Sequence, residues 1–145
     1  MLRIYTDGSC WPTNGGPGGW AFVVGGPGGS IEHEASGGLR RTTNNRAELI
    51  AIGRAMRWAG DREAVIHSDS QLCVNTLSEW AEGWRRRGWR KATGGEPANL
   101  DLIIPAYDLY LAGRFRLRWV RGHAGNPLNE RADELAGMAR LGVGG

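Results

Sequence analysis

Lysine is nearly absent: Lys91 is the only one among 18 basic residues, which face 15 acidic ones. Arginine in place of lysine suits guanidinium chemistry at phosphates, and it equally suits a GC-rich coding bias, so the preference alone excludes nothing. Cysteine is scarce as well. Cys10 and Cys73 stand far apart and cannot form a disulfide framework, which points to a reducing, cytoplasmic setting. No apolar run approaches the roughly 20 residues of a membrane span. Met1–Asp7 already reads as a strand rather than a charged-then-apolar leader, so neither a membrane nor an export route is expected. The chain has no Walker sequence, no Gly-x-Ser-x-Gly, no His-Glu-x-x-His and no Cys-x-x-Cys, so zinc and serine-hydrolase chemistry have no support. Gly16-Pro17-Gly18-Gly19-Trp20-Ala21 formally fits a dinucleotide fingerprint. The strand-like Phe22-Val23-Val24 that follows offers a phosphate no helix N-terminus, so a glycine turn is the better reading.

What is present suits one domain spanning residues 1–145. The net charge of +3 conceals an uneven distribution. Arg85, Arg86, Arg87, Arg90 and Lys91 put five positive charges and no acids within Trp84–Lys91, leaving 13 basic against 15 acidic residues elsewhere. Glycine and proline make up about a fifth of the chain, below a low-complexity composition, and cluster at Gly15–Gly19, Gly25–Gly29 and Gly37–Gly38, where they read as turns.

Three strands, Leu2–Thr6, Trp20–Val24 and Ile31–Ser36, suggest an antiparallel meander. Leu49, Ile52, Ala55, Met56 and Ala59 recur at helical spacing, with Asn44 or Asn45 as N-cap and Gly60 as stop. A short strand, Ala64–His67, precedes a helix capped by Ser70 and running through Leu77. The basic segment follows, then a helix over Leu100–Leu111, a strand over Phe115–Val120 and a terminal helix over Asn129–Arg140. The order predicts an α/β fold with a central mixed sheet.

Four carboxylates occupy positions suited to display. Asp7 ends the first strand, where it can be presented without burial, and Asp69 follows the strand Ala64–His67. Glu48 lies near the start of its helix, and Asp133 sits on the terminal helix ten residues after His123. Singly, each also fits a turn former or a helix-dipole partner. Jointly, four carboxylates converging on one sheet edge would repel and destabilise the fold unless cations neutralised them. Hard divalent ions such as Mg²⁺ or Mn²⁺ would do so, and two such ions form a phosphodiester-hydrolysing arrangement.

Blocks spread over nearly the whole chain carry a resemblance: Thr6-Asp7-Gly8-Ser9-Cys10, Thr42-Thr43-Asn44-Asn45-Arg46-Ala47-Glu48-Leu49, Ser68-Asp69-Ser70-Gln71, Trp84-Arg85-Arg86-Arg87-Gly88-Trp89, and Gly122-His123-Ala124-Gly125-Asn126-Pro127 with Asn129–Ala136. In order and spacing the chain resembles bacterial type 1 ribonuclease H. The resemblance implies an RNase H-like five-stranded mixed sheet, with antiparallel β1-β2-β3 plus parallel strands, flanked by helices. It implies hydrolysis of the RNA strand of an RNA–DNA hybrid, leaving 5′-phosphate and 3′-hydroxyl ends, by two Mg²⁺ ions with Mn²⁺ as a substitute.

On this resemblance the metal ligands are Asp7, Glu48, Asp69 and Asp133, with Asp7 bridging both ions. His123 assists proton transfer or product release. Asn14, Asn44 and Gln71 reach ribose 2′-hydroxyls in the minor groove, for which an amide that both donates and accepts is suited. Arg41, Thr43 and Asn99 hold a phosphate of the DNA strand. The basic segment, about residues 80–95, matches the family's protruding handle: Trp80, Trp84 and Trp89 fix it, while Arg85, Arg86, Arg87 and Arg90 meet the DNA backbone.

The loop after Cys10 departs from the pattern. Gly15 replaces a frequent proline, and Trp11-Pro12-Thr13 adds about one residue, which bears on the placement of Asn14. A stand-alone monomeric catalytic domain, with no hybrid-binding module, is expected. Two other readings stay open on the residues alone: a related nuclease of DNA junctions, which would leave the Asn/Gln set without purpose, and a non-catalytic hybrid-binding module, in which the carboxylates would be dispensable.

Overall fold

The computed structural model describes residues 1–122 and 125–144. Five strands form one sheet: β1 (Leu2–Cys10), β2 (Gly18–Gly25), β3 (Ile31–Leu39), β4 (Ala64–Ser68) and β5 (Phe115–Trp119). Their spatial order is β3-β2-β1-β4-β5, antiparallel from β3 to β1 and parallel from β1 to β5. The helices are α1 (Asn44–Ala59), α2 (Gln71–Asn75), α3 (Ala81–Arg86), α4 (Leu100–Ala112) and α5 (Pro127–Gly144), and no described helix is long and apolar enough to cross a membrane.

Strand alternation divides the core into two layers. Ile4, Phe22 and Val24 face α1 and α4, where they pack with Leu49, Ile52, Met56, Ile103 and Tyr107. Tyr5, Ala21 and Val23 face α5 and meet Leu128, Ala132, Leu135 and Ala136. Each fully buried Ile, Leu or Met contributes about 1.5–3 kcal/mol, so both helical layers are fastened by ordinary apolar burial.

Several sequence expectations are corrected here. Gly18, Gly19, Gly37 and Gly38 lie inside β2 and β3, not in turns. For Gly19 and Gly38 the reason is the close seating of α5: a Cβ at Gly19 would lie 2.2 Å from the Ala136 carbonyl oxygen and one at Gly38 2.9 Å from that of Ala139, while Gly18 and Gly37 make room for Ser9 and the Trp20 indole. The strands are correspondingly longer than their apolar runs. The N-cap of α1 is Thr43 rather than Asn44 or Asn45, because the Thr43 hydroxyl accepts from the Arg46 N–H. The terminal helix begins two residues earlier, at Pro127, where Asn126 Oδ1 accepts from the N–H groups of Leu128 and Asn129.

The helix capped by Ser70 does not stop at Leu77. It continues through a π-helical stretch, Thr76–Trp80, into α3, so the first half of the basic handle is helical rather than loop. Trp80 and Trp84 then share a face, with ring centroids 6.2 Å apart. Trp89 packs edge-on to Tyr107 of α4 at 6.2 Å, which anchors the handle to the core.

Candidate active site

The parallel ladder between β1 and β4 ends at the pair Thr6–Ser68, whereas β1 continues against β2 to Cys10. Asp7 is therefore the first residue of β1 beyond β4 and lies in mid-strand, not at a strand end. Its side chain is 5% exposed, so it is buried rather than openly displayed. Asp69 directly follows β4. The two carboxylates thus emerge side by side at the carboxyl end of the parallel strands, where open α/β sheets bind ligands.

Glu48 arrives from α1 because Gly8 lets the helix approach. A Cβ at Gly8 would fall 2.4 Å from the Glu48 backbone nitrogen and 2.5 Å from the Ala47 carbonyl carbon. Asp7, Glu48 and Asp69 consequently offer oxygens that all lie within 4.8 Å of one another. Asp133, exposed on α5, approaches from the opposite layer closely enough to help raise the Asp7 carboxyl, while the three oxygens within 4.8 Å come from Asp7, Glu48 and Asp69.

The electrostatics match this crowding. Burial, with Asp69 and Asp133 adding to it, pushes the Asp7 carboxyl up to about 8, although its hydrogen bond with Glu48 pulls the other way. Burial also pushes Glu48 well above the usual carboxylate range, helped by the charge of Asp7 and opposed by the Gly8 backbone N–H. One oxygen of Glu48, Oε2, is buried without a hydrogen-bond partner. A buried carboxylate oxygen without a hydrogen-bond partner, on a residue of this acidic cluster, is what a divalent cation would satisfy.

The polar residues expected at a substrate surface also gather. Asn14 Oδ1 accepts from the Asn44 N–H at 3.0 Å, and the lengthened loop is held by Gly15 N–H to Thr42 O at 2.7 Å and Thr42 N–H to Gly16 O at 3.0 Å. Thus Asn14, Thr43 and Asn44 share one ridge. Arg41 is exposed in the turn just before it, and Gln71 is exposed at the first position of α2, two residues after Asp69. Asn99 precedes α4 in a left-handed conformation, and its Oδ1 accepts from Arg46, which also chelates Asp101 at 2.7 and 2.9 Å. Arg46 and Asp101 were not singled out by the sequence. Their pairing joins residues 55 positions apart, so no local sequence signal marks it.

Between the handle and α1 lies a cleft of about 350 Å³, lined in part by Asn45, Thr76, Trp80, Trp84, Lys91 and Asn99. Arg85, Arg86, Arg87 and Arg90 are all exposed. Arg85 sits over the Tyr107 ring at 5.9 Å, Arg86 pairs with Glu82 at 2.7 Å, and Arg87 donates to the Arg90 carbonyl. His123 lies outside the described residues.

The RNase H family model matches residues 1–140. The chain belongs to the RNase H family. It is similar to a ribonuclease H of Granulibacter bethesdensis, with 45% identity over 142 residues, covering 97% of this chain and 93% of that protein. Among solved structures it is similar to LC9-RNase H1, a type 1 RNase H with the type 2 active-site motif. That match has a TM-score of 0.84 and 33% identity, and covers 97% of this chain and 72% of the other. It is also similar to LC11-RNase H1 in complex with an RNA/DNA hybrid, with a TM-score of 0.74 and 25% identity over the full length of both. As an RNase H family member the chain is a nuclease of the hydrolase class, and the acidic cluster lies where its sheet and helices converge.

Proposed function

We propose that this RNase H family member cuts the RNA strand of RNA–DNA hybrids endonucleolytically, leaving 5′-phosphate and 3′-hydroxyl ends, with residues 1–145 acting as one catalytic unit. The observation that carries the reading is the cluster of Asp7, Glu48 and Asp69 within 4.8 Å, with a buried orphan oxygen on Glu48. The hybrid bound by LC11-RNase H1 supports the substrate class. Asp7, Glu48, Asp69 and Asp133 would hold two divalent cations, Mg²⁺ or Mn²⁺. When bound, these supply activation of the attacking water and stabilisation of the leaving 3′-oxygen.

The chain's own residues do the rest. Asp7 interacts with Glu48, Asp69 and Asp133 and would be the ligand shared by both ions. Asn14, Asn44 and Gln71 present amides that can donate to and accept from 2′-hydroxyls, the groups that tell RNA from DNA. Arg41, Thr43 and Asn99 bind a phosphate of the DNA strand; Arg46 donates to the Asn99 oxygen, which leaves the amide nitrogen to donate to that phosphate. Trp80 with Arg85, Arg86, Arg87 and Arg90 receives the DNA backbone further along the duplex. His123 follows Gly122 in the chain and moves a proton or eases product departure, the role carried over from the family resemblance. Sequencing-gel analysis of product ends, with and without divalent ion, tests the reading: 5′-phosphates and a strict ion requirement are expected, and ion-independent cleavage or 3′-phosphate ends would oppose it.

A further inference from the structure

The exit of β5 touches the Asp69 turn at three points. The Trp119 indole Nε1 donates to the Asp69 carbonyl oxygen at 3.2 Å. The Val120 N–H donates to the Ser68 carbonyl at 2.9 Å, directly beyond the register pair Ser68–Trp119. At Gly122 a Cβ would lie 2.9 Å from Asp69 Oδ2, with the next nearest atoms, Asp69 Cβ and Cγ, at 3.5 and 3.6 Å. The backbone of Gly122 is not in the left-handed region, so alanine is conformationally acceptable there. The space that its missing side chain leaves is therefore occupied by the Asp69 carboxylate itself. Trp119 is 48% exposed, more than a tryptophan retained for core packing alone would be.

We propose that Trp119 and Gly122 are positioning residues for the Asp69 carboxylate: the indole fixes the backbone of its turn, and the bare Cα of Gly122 sets the direction in which Oδ2 points. The inference rests on the reading of Asp69 as a metal ligand. The nearest contact a methyl group at position 122 makes, and the one of the three nearest that is too short, is with Oδ2 at the end of the Asp69 side chain; Asp69 Cβ and Cγ stand at ordinary contact distance. The cost thus falls on the carboxylate orientation, not on the fold. Displacing a ligand by a fraction of an ångström to an ångström is enough to cost catalysis heavily.

The test compares Gly122→Ala and Trp119→Phe with the wild type in three readouts: Mn²⁺ affinity by calorimetry without substrate, kcat and KM on a hybrid, and melting of the metal-free protein. For Gly122→Ala, Mn²⁺ affinity falls several-fold and kcat at least about tenfold, with KM nearly unchanged. Trp119→Phe keeps a ring and loses the N–H, and shows a smaller fall in the same direction. Any loss of melting temperature in Gly122→Ala disappears in an Asp69→Ala background, where no carboxylate remains to be displaced. Wild-type Mn²⁺ affinity and kcat in Gly122→Ala would overturn the inference, as would a melting cost that persists without the Asp69 carboxylate. A wild-type protein that binds Mn²⁺ but leaves hybrids intact would instead overturn the functional reading, because the affinity and melting arms do not depend on turnover.

Discussion

The carboxyls of Glu48 and Asp7 form a crowded, buried pair in which each acts on the other, and the Glu48 oxygen Oε2 is buried without a hydrogen-bond partner. Without a cation, both groups are held toward their protonated forms. Burial is the main cause for each, and Asp7 is pushed up to about 8. A carboxyl whose pKa is raised by folding binds more protons in the native state. Its stabilising contribution is complete below the unfolded carboxylate range and is lost as pH rises through the folded value. In a chelator, the melting temperature should therefore fall between about pH 4 and pH 8, by an amount equivalent to about 1–3 kcal/mol. Mg²⁺ at pH 8 should recover most of it. Calorimetric melts across that range, with and without ion, check this; a flat profile in chelator contradicts the crowded cluster.

Asp7→Asn separates stability from function. Removing the central carboxyl relieves repulsion, so the metal-free protein at pH 8 should melt several degrees higher, corresponding to about 1 kcal/mol. Hybrid cleavage should drop below detection. Lower stability together with retained activity would place the reacting centre elsewhere.

Gly8 and Gly53 make a matched pair for testing how α1 is seated. A Cβ at Gly8 strikes backbone atoms of Ala47 and Glu48, whereas one at Gly53 meets nothing within 4 Å. Gly8→Ala should lose about 1–3 kcal/mol, the usual cost of overpacking. Gly53→Ala, inside the helix, should be stabilising by about 0.5–1 kcal/mol. Denaturant unfolding of both variants gives the comparison directly.

The handle should act through phosphate charge. Changing Arg85, Arg86 and Arg87 together to Ala should raise KM and flatten the salt dependence of hybrid binding. Arg86 already shares its charge with Glu82 at 2.7 Å. The slope should therefore change by about 2 rather than by nearly 3, at up to about 0.9 per phosphate contact. Binding isotherms across a salt series measure it, and an unchanged slope would make the handle purely structural.

The sequence made the strand order's ingredients legible because they rest on local signals, apolar runs and helical periodicity, whereas the four carboxylates were picked out as a set by the motif blocks that carry the family resemblance. What it concealed was tertiary. Gly19 looked like a turn glycine, and Gly8 and Gly122 carried no reading of their own, yet their work is to admit another backbone or a carboxylate, which only the assembled layers reveal. The Asp7 position was misjudged because β1 outruns β4, and a single strand's sequence does not state where its neighbour stops. Thr43 won the cap over Asn44 and Asn45 because its hydroxyl faces the Arg46 N–H, a geometry the polar run Thr42–Asn45 leaves undecided. The handle read as loop since arginines and tryptophans carry weak helical periodicity over so short a stretch, while the preceding helix simply continues into it.

The most direct test of the account is cleavage of a strand-labelled RNA–DNA hybrid beside double-stranded RNA and double-stranded DNA of the same sequence, by wild type and by Asp7→Asn, with Mg²⁺ and with chelator. The account requires loss of the RNA strand of the hybrid only, in wild type with Mg²⁺ only. Equal cutting of double-stranded DNA, or undiminished hybrid cleavage by Asp7→Asn, would contradict it.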